Sequence, residues 1–70
     1  MEEKIIQIAA RVFRVAPSAL NLESSKDNTP NWDSFAHIAL ISMLEEELKI
    51  IIPIEDVPNI VKLKDFLKYQ

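Results

Sequence analysis

Apolar residues recur at helical spacing over the first part of the chain. Between residues 1 and 16 they lie on one arc of a helical wheel, and the polar residues share the opposite arc. The apolar set is Ile5, Ile8, Ala9, Val12 and Val15, and the polar set is Glu3, Lys4, Gln7, Arg11 and Arg14. This pattern predicts an amphipathic helix from Met1 to Ala16, which ends there because Pro17 cannot continue it.

Residues 17 to 33 show no such periodicity. The segment is rich in Ser, Asn, Asp and Pro, with Leu20, Leu22 and Trp32 interspersed. That composition is typical of a loop, and the three apolar residues are predicted to anchor it to the core. Connections of this length in a small domain are usually functional or disordered, and the anchors favour a functional one.

A second helical pattern begins near residue 33 and runs to about Lys49. Asp33 or Ser34 can cap it, because both side chains accept hydrogen bonds from free backbone N–H groups. One stripe of this helix is apolar and is predicted to face the first helix. It contains Leu40, Ile41, Leu44 and Leu48, with His37 within it and Met43 at its edge.

The last third of the chain predicts two more helical elements. Pro53 and Pro58 bracket residues 54 to 57, which are enough for about one helical turn. Beyond them the apolar residues again follow helical spacing and predict a third full helix: Ile60, Leu63, Phe66 and Leu67. We therefore expect one all-α domain over residues 1 to 70, a small four-helix bundle of three main helices and a short third one.

Composition limits the chemistry available to these 70 residues. There is no Gly, so the Gly-rich loops that cradle nucleotide phosphates cannot be written in this sequence. There is no Cys and only one His, so a zinc or iron–sulfur ligand set is absent. We expect no metal centre, and the absence of Cys fits a reducing compartment.

Charge is unevenly distributed along the chain. The formal net charge is -3, and the segment from residue 33 to 56 carries six acids against one lysine. A helix-turn-helix DNA-binding protein would fit the size, but an acidic second helix would repel phosphate. No basic region precedes an apolar stretch at the start, and the longest apolar run, from Ile50 to Ile54, is too short to span a bilayer. We expect a cytoplasmic protein that binds no nucleic acid and does not insert into membranes.

The second predicted helix places a hydroxyl and two apolar side chains on its outward side. Ser34 begins this face, and Phe35 and Ile38 flank it, an arrangement that suggests a docking surface. The free N–H groups and dipole at a helix start favour an anion, so a phosphate ester on Ser34 would be well placed. Glu45 and Glu46 lie further along and could meet a basic partner.

Three stretches around this serine resemble the acyl and peptidyl carrier protein family. They are WDSFAHI at residues 32–38, MLEEELKI at residues 43–50 and IPIED at residues 52–56. In that family a D-S-L motif opens the second helix, and an L-E-E-E-F-G-I-x-I-P-x-E-D run follows at this spacing. The match covers residues 30 to 56 without a gap and, more loosely, the whole chain.

The resemblance implies a non-catalytic, monomeric carrier. Ser34 would receive 4'-phosphopantetheine from coenzyme A through a separate magnesium-dependent phosphopantetheinyl transferase, and the thiol of the arm would hold an acyl or aminoacyl thioester. Asp33 matches the motif acid next to the phosphate and the transferase's metal. Phe35 and Ile38 match positions that contact partner enzymes, and Glu45 and Glu46 match acids that meet their basic patches. Those partners would include a loading synthetase and downstream transferases or synthases.

Some positions depart from the family pattern. Phe35 replaces the usual Leu and resembles the D-S-F of D-alanyl carrier proteins. Lys49 and the two residues after it lack the Gly usual there, and Lys62 stands where Ser or Thr often caps the last helix. Because such flanking residues differ between carriers, the resemblance leaves the pathway open among fatty-acid, polyketide, peptide and surface-glycan biosynthesis.

Plainer interpretations of the same residues stand beside this one. Ser34 could be only an N-cap, the glutamates only a solvated face, and His37 a packed core residue. A hydrolase built from Asp33, Ser34 and His37 is disfavoured because all three lie within one helical turn and no Gly forms a nucleophile elbow. The main alternative is an unmodified helical adaptor that binds partner proteins through the acidic second helix.

Overall fold

Residues 2 to 69 of the chain fold into two α-helices and three shorter 3-10 helices. A computed structural model describes residues 2 to 69. Helix α1 spans Glu2–Phe13 and helix α2 spans Ser34–Leu48. The 3-10 helices are Pro17–Ala19 in the connection, and Ile54–Asn59 and Leu63–Tyr69 after α2. No β-strand occurs within residues 2 to 69, so the predicted all-α class is confirmed for that part of the chain.

Helix α1 ends earlier than the sequence pattern predicts. Its last residue is Phe13, because Arg14 turns into the left-handed region with φ 59°. The N–H of Val15 then donates to the carbonyl of Ala10 over 3.1 Å, a bond that satisfies a carbonyl at the helix end. The prediction of a helix up to Ala16 was therefore wrong, since the chain leaves the helix before Pro17 forces it to.

The core lies between α1, α2 and the C-terminal segment. Leu40, Ile41 and Leu44 are buried against it as predicted, while Leu48 is only half-buried at the end of the stripe. In α1, Phe13 is fully buried although the periodicity did not single it out, and Val12 is half-buried. The largest fully buried side chains are Phe13, Phe66, Ile5, Leu40, Leu44, Ile60 and Leu63.

The predicted bounds of α2 are confirmed. Asp33 is the N-cap, and its Oδ1 accepts a hydrogen bond from the N–H of Ala36 over 2.8 Å. At the other end Lys49 adopts φ 58° and ψ 38°, the left-handed conformation that usually ends a helix with glycine. Lys49 therefore adopts a conformation that its Cβ makes unfavourable.

The end of the chain does not form the third full α-helix that the sequence predicts. Residues Leu63–Tyr69 form a 3-10 helix, in which side chains three apart lie in line. Leu63 and Phe66 have that spacing and are both fully buried. The predicted full α-helix was therefore wrong, because an apolar spacing of three residues suits a 3-10 helix as well as an α-helix. The short helix Ile54–Asn59 is also 3-10 and longer than the predicted single turn.

The connection between α1 and α2 is tied to the C-terminal segment by an isolated antiparallel bridge between Ser25 and Lys62. The N–H groups of Leu63 and Lys64 donate to carbonyls of the connection at 3.0 and 3.1 Å. Glu23 accepts hydrogen bonds from Lys64 and Lys62, each at 3.1 Å. These bonds, together with the two lysine charges, hold the pKa of Glu23 below its ordinary value.

No helix in the range from residue 2 to residue 69 has the length and apolar character needed to cross a membrane.

Candidate functional site at the start of helix α2

Ser34 is the first residue of α2 and is exposed. The capping role that it could have filled belongs to Asp33, whose carboxylate accepts the N–H of Ala36. Within residues 2 to 69 the Ser34 hydroxyl takes part in no hydrogen bond between side chains or with the backbone. The structure therefore places an accessible primary hydroxyl, free of a structural role, at the positive end of a 15-residue helix.

The first turn of α2 leaves N–H groups available next to this hydroxyl. Asp33 uses its Oδ1 for Ala36 and its backbone carbonyl for the N–H of His37, the latter at 2.9 Å. In the part of the chain that the structure describes, the N–H groups of Ser34 and Phe35 have no partner. Such free N–H groups, aligned with the helix dipole, favour an anion bound to the Ser34 oxygen.

The residues on either side of the site are held by a buried polar chain. Trp32 is 4% exposed and stacks on Phe13 with ring centroids 5.1 Å apart. Its indole Nε1 donates to Nδ1 of His37 at 2.9 Å, and Nε2 of His37 lies 2.9 Å from the carbonyl of Val57. Because an indole nitrogen only donates, Nδ1 accepts and Nε2 carries the hydrogen. The predictions that Trp32 anchors the loop and that His37 packs inward are both confirmed.

The apolar pair beside Ser34 faces outward as the helical wheel predicts. Phe35 is 85% exposed and Ile38 is 55% exposed. A further apolar side chain that the wheel did not single out, Ile54, is 84% exposed in the segment after α2. Its place within the IPIED stretch could have identified it, since that stretch is part of the resemblance. The exposed pair Phe35 and Ile38 beside Ser34 is typical of a protein-binding surface.

The two glutamates expected on the outward face behave differently. Glu46 is exposed. Glu45 is half-buried, and its Oε2 accepts a hydrogen bond from the N–H of Ile52 at 3.1 Å. The prediction that Glu45 lies on the outward side must therefore be corrected, because its carboxylate closes the turn that follows α2. The next acid, Glu47, is exposed and pairs with Arg11, whose Nη2 donates to Oε2 at 2.8 Å and to Oε1 at 3.0 Å.

Two residues near the site were not singled out by the sequence. Asn31 has φ 68°, and its Nδ2 donates to the carbonyl of Phe13 at 2.7 Å, which ties the end of α1 to the residues before Ser34. The dipeptide Pro30-Asn31 is a turn signal that could have identified it, since Asn tolerates this conformation. Arg14 lies next to this contact, and nothing in its position on the polar arc of α1 distinguishes it.

Residues 2 to 69 contain no cluster of His, Asp and Glu side chains with the geometry of a metal site. No protein-family model matches the chain. The arrangement at the start of α2 can do one chemical task without further groups. It offers an exposed hydroxyl beside unpartnered backbone N–H groups, which suit an anion.

Proposed function

We propose that this chain is a carrier protein in which Ser34 bears a 4'-phosphopantetheine arm. The observation that carries the proposal is the exposed Ser34 hydroxyl at the first position of α2, which Asp33 releases from capping. The surrounding WDSFAHI, MLEEELKI and IPIED stretches resemble the carrier family. The order of α1, the long connection, α2 and the two following short helices supports a carrier-like bundle.

The residues at the start of α2 fit the chemistry of the arm. A phosphodiester on Ser34 is an anion, and the unpartnered N–H groups of Ser34 and Phe35 are donors suited to it. Asp33 holds the helix start through one carboxylate oxygen, so the other remains for the magnesium ion of the transferase. When attached, the arm supplies a thiol that carries acyl or aminoacyl groups as thioesters.

Attachment would proceed at Ser34 Oγ by phosphoryl transfer from coenzyme A. The serine oxygen forms a bond to phosphorus, and the bond from that phosphorus to the bridging oxygen of the diphosphate breaks. Adenosine 3',5'-bisphosphate leaves, and the serine proton passes to a base of the transferase. His37 does not supply that base, because both of its ring nitrogens are occupied by Trp32 and Val57.

The surface around Ser34 suits an arm that must visit several enzymes. We propose that Phe35 and Ile38 contact the transferase, the loading synthetase and the downstream enzymes, and that Glu46 meets basic residues on them. Tethering keeps the intermediate at a high local concentration beside whichever enzyme is docked. The cargo would belong to fatty-acid, polyketide, peptide or surface-glycan biosynthesis.

A second candidate is an unmodified adaptor with the same docking surface. The exposure of Phe35 and Ile38 supports it, since those side chains could bind a partner protein without any prosthetic group. The two functions differ in a single respect, which is whether Ser34 becomes covalently modified.

Intact-protein mass spectrometry tests the proposal directly. The purified chain is incubated with coenzyme A, magnesium and a broad-specificity phosphopantetheinyl transferase. Ser34→Ala is the test variant, and Ser42→Ala is the matched control because Ser42 is an exposed serine of the same helix. We expect a gain of one phosphopantetheine mass in the wild type and in Ser42→Ala, and none in Ser34→Ala. A folded wild type that gains no mass with several transferases would favour the adaptor instead.

A further inference from the structure

A cleft of about 400 Å³ lies between the end of α1 and the start of α2. Its lining includes Asp33 and Phe35, the two neighbours of Ser34 in the chain, but not Ser34 itself. Four of its seven lining residues are apolar, and the other three are one basic, one acidic and one amide residue. The lining residues are Val12, Phe13, Arg14, Asn31, Asp33, Phe35 and Ala36.

Arg14 is the one basic residue of this lining. It is exposed and forms no ion pair within residues 2 to 69, whereas Arg11 is committed to Glu47. The backbone at Arg14 is fixed on both sides. The bond from Val15 to Ala10 holds the turn, and the bond from Asn31 to the Phe13 carbonyl holds the neighbouring loop against it.

The acidic residue of the cleft does not neutralise this arginine in the structure. Asp33 is not paired with Arg14, and its Oδ1 is bound to the N–H of Ala36. The cleft therefore offers a planar cation with free donors at its rim and an apolar surface from Val12 and Phe35 behind it. A phosphodiester followed by a branched aliphatic group complements both parts, because guanidinium pairs with two phosphate oxygens at once.

We propose that the proximal part of the arm on Ser34 lies in this cleft. The phosphodiester pairs with the guanidinium of Arg14, and the dimethyl carbon of the arm packs against Val12 and Phe35. This inference rests on the proposed function, since it takes the arm on Ser34 as the occupant. Arg14 is then a positioning residue that directs the arm towards α1 and away from the Ile54–Asn59 segment.

The test compares loaded proteins by NMR, after mass spectrometry has established the extent of loading at Ser34. Arg14→Gln removes the charge, and Arg14→Gly removes the side chain while suiting the left-handed backbone. Arg11→Gln is the matched control, because Arg11 is an exposed arginine of α1 outside this cleft. The readouts are the phosphorus resonance of the diester, the nuclear Overhauser contacts from the arm's methyl groups, and the rise in Tm on loading.

In the wild type we expect methyl contacts from the arm to Val12 and to the ring of Phe35. Arg14→Gln and Arg14→Gly should weaken these contacts and shift the phosphorus resonance. Both should also reduce the loading-induced rise in Tm by about 2 °C, the scale of one exposed ion pair in a domain of this size. Arg11→Gln should match the wild type in all three readouts.

The outcomes separate this inference from the proposed function. If Ser34 is loaded but the contacts, the resonance and the Tm rise are unchanged in both Arg14 variants, the cleft assignment is overturned and the carrier assignment stands. If Ser34 cannot be loaded at all, both are overturned.

Discussion

Tyr69 donates its phenolic hydrogen to Oδ2 of Asp56 over 2.8 Å. This bond fastens the end of the C-terminal 3-10 helix to the Ile54–Asn59 segment. Partial burial of the phenol, followed by the hydrogen bond and the charge of Asp56, raises the pKa of Tyr69 to about 12. The phenol is therefore protonated in the folded protein at pH values where an unfolded tyrosine has already ionised.

The Tyr69 bond predicts a loss of stability at high pH. A raised pKa in the folded state means that the folded protein holds the proton more tightly than the unfolded chain does. The associated stabilisation is complete below the ordinary tyrosine pKa of 10.0 and is lost as the pH rises towards about 12. Phenolate absorbance should give a midpoint near 12 for the folded protein and near 10 in denaturant. Tyr69→Phe should abolish the part of the alkaline loss that comes from this group; an unchanged alkaline profile would contradict the prediction.

Replacing Lys49 with glycine is predicted to stabilise the protein. The left-handed conformation of Lys49 at the end of α2 is costly for a residue with a Cβ and is natural for glycine. We expect Lys49→Gly to raise the free energy of unfolding by about 0.5 to 1 kcal/mol, because the left-handed penalty that is removed exceeds the extra chain entropy that glycine gives the unfolded state. Lys49→Ala is the control, because it removes the charge and keeps the Cβ. Urea denaturation measures both, and an equal gain from Ala would assign the effect to charge instead of conformation.

Asp65 predicts an acid-sensitive cap at the start of the last helix. Its Oδ2 accepts the N–H groups of Val61 and Lys62 at 2.9 and 3.0 Å, which supplies the cap that a Ser or Thr at position 62 would otherwise give. Asp65→Ala should lower the free energy of unfolding by about 1 kcal/mol at neutral pH. Asp65→Asn keeps an acceptor oxygen and should lower the free energy of unfolding by less than Asp65→Ala does.

The pH dependence of this cap has a defined sign. Burial alone would raise the pKa of Asp65, but the N–H groups of Val61 and Lys62, with Lys68 and Lys64 nearby, outweigh it and leave the pKa below the ordinary 3.8. The stabilisation by the carboxylate is present above pH 3.8 and is lost as the pH falls through the lower folded value. The difference in Tm between the wild type and Asp65→Asn should shrink as the pH falls through the acidic range. A difference in Tm that stays constant with pH would contradict this prediction.

Two substitutions of His37 with side chains of similar size are predicted to differ in how much they destabilise the protein. Leucine at this position would leave the indole N–H of Trp32 unpaired in the core, at a cost of about 2 kcal/mol. It would also remove one of the two hydrogen bonds to the carbonyl of Val57, which still accepts the N–H of Ile60 at 3.3 Å. Glutamine carries one acceptor and one donor and should recover most of that loss. Chemical denaturation of His37→Leu and His37→Gln tests this. Equal losses would show that the two hydrogen bonds contribute little, and long-range proton–nitrogen NMR should find the hydrogen on Nε2.

Periodicity alone predicted the elements whose packing is local. The apolar stripe through Leu40 and Leu44 and the capping acid Asp33 were enough to place α2, because an amphipathic face and a cap are properties of neighbouring residues. The same logic placed Phe35 and Ile38 outside and His37 inside.

Periodicity did not predict the features that depend on the fold of the whole chain. The end of α1 depended on the left-handed turn at Arg14 and on the bond from Asn31 to the carbonyl of Phe13, and no local signal in the sequence reveals either. The C-terminal helix is 3-10, and the apolar spacing there did not distinguish the two helix types, because Leu63 and Phe66, three residues apart, lie on one face of either. Glu45 was expected to face outward, and only the folded return of the chain to Ile52 engages its carboxylate.

The bridge between Ser25 and Lys62 carries a consequence for the order of folding. The two lysine contacts to Glu23 that accompany it join residues 39 and 41 positions apart, so closing them costs more chain entropy than forming α1 or α2. The two helices can form while the connection is still open, and the connection becomes ordered only when the last residues arrive. In hydrogen exchange, the amides of Lys26 and Leu63 should therefore open together, as one cooperative unit that closes late.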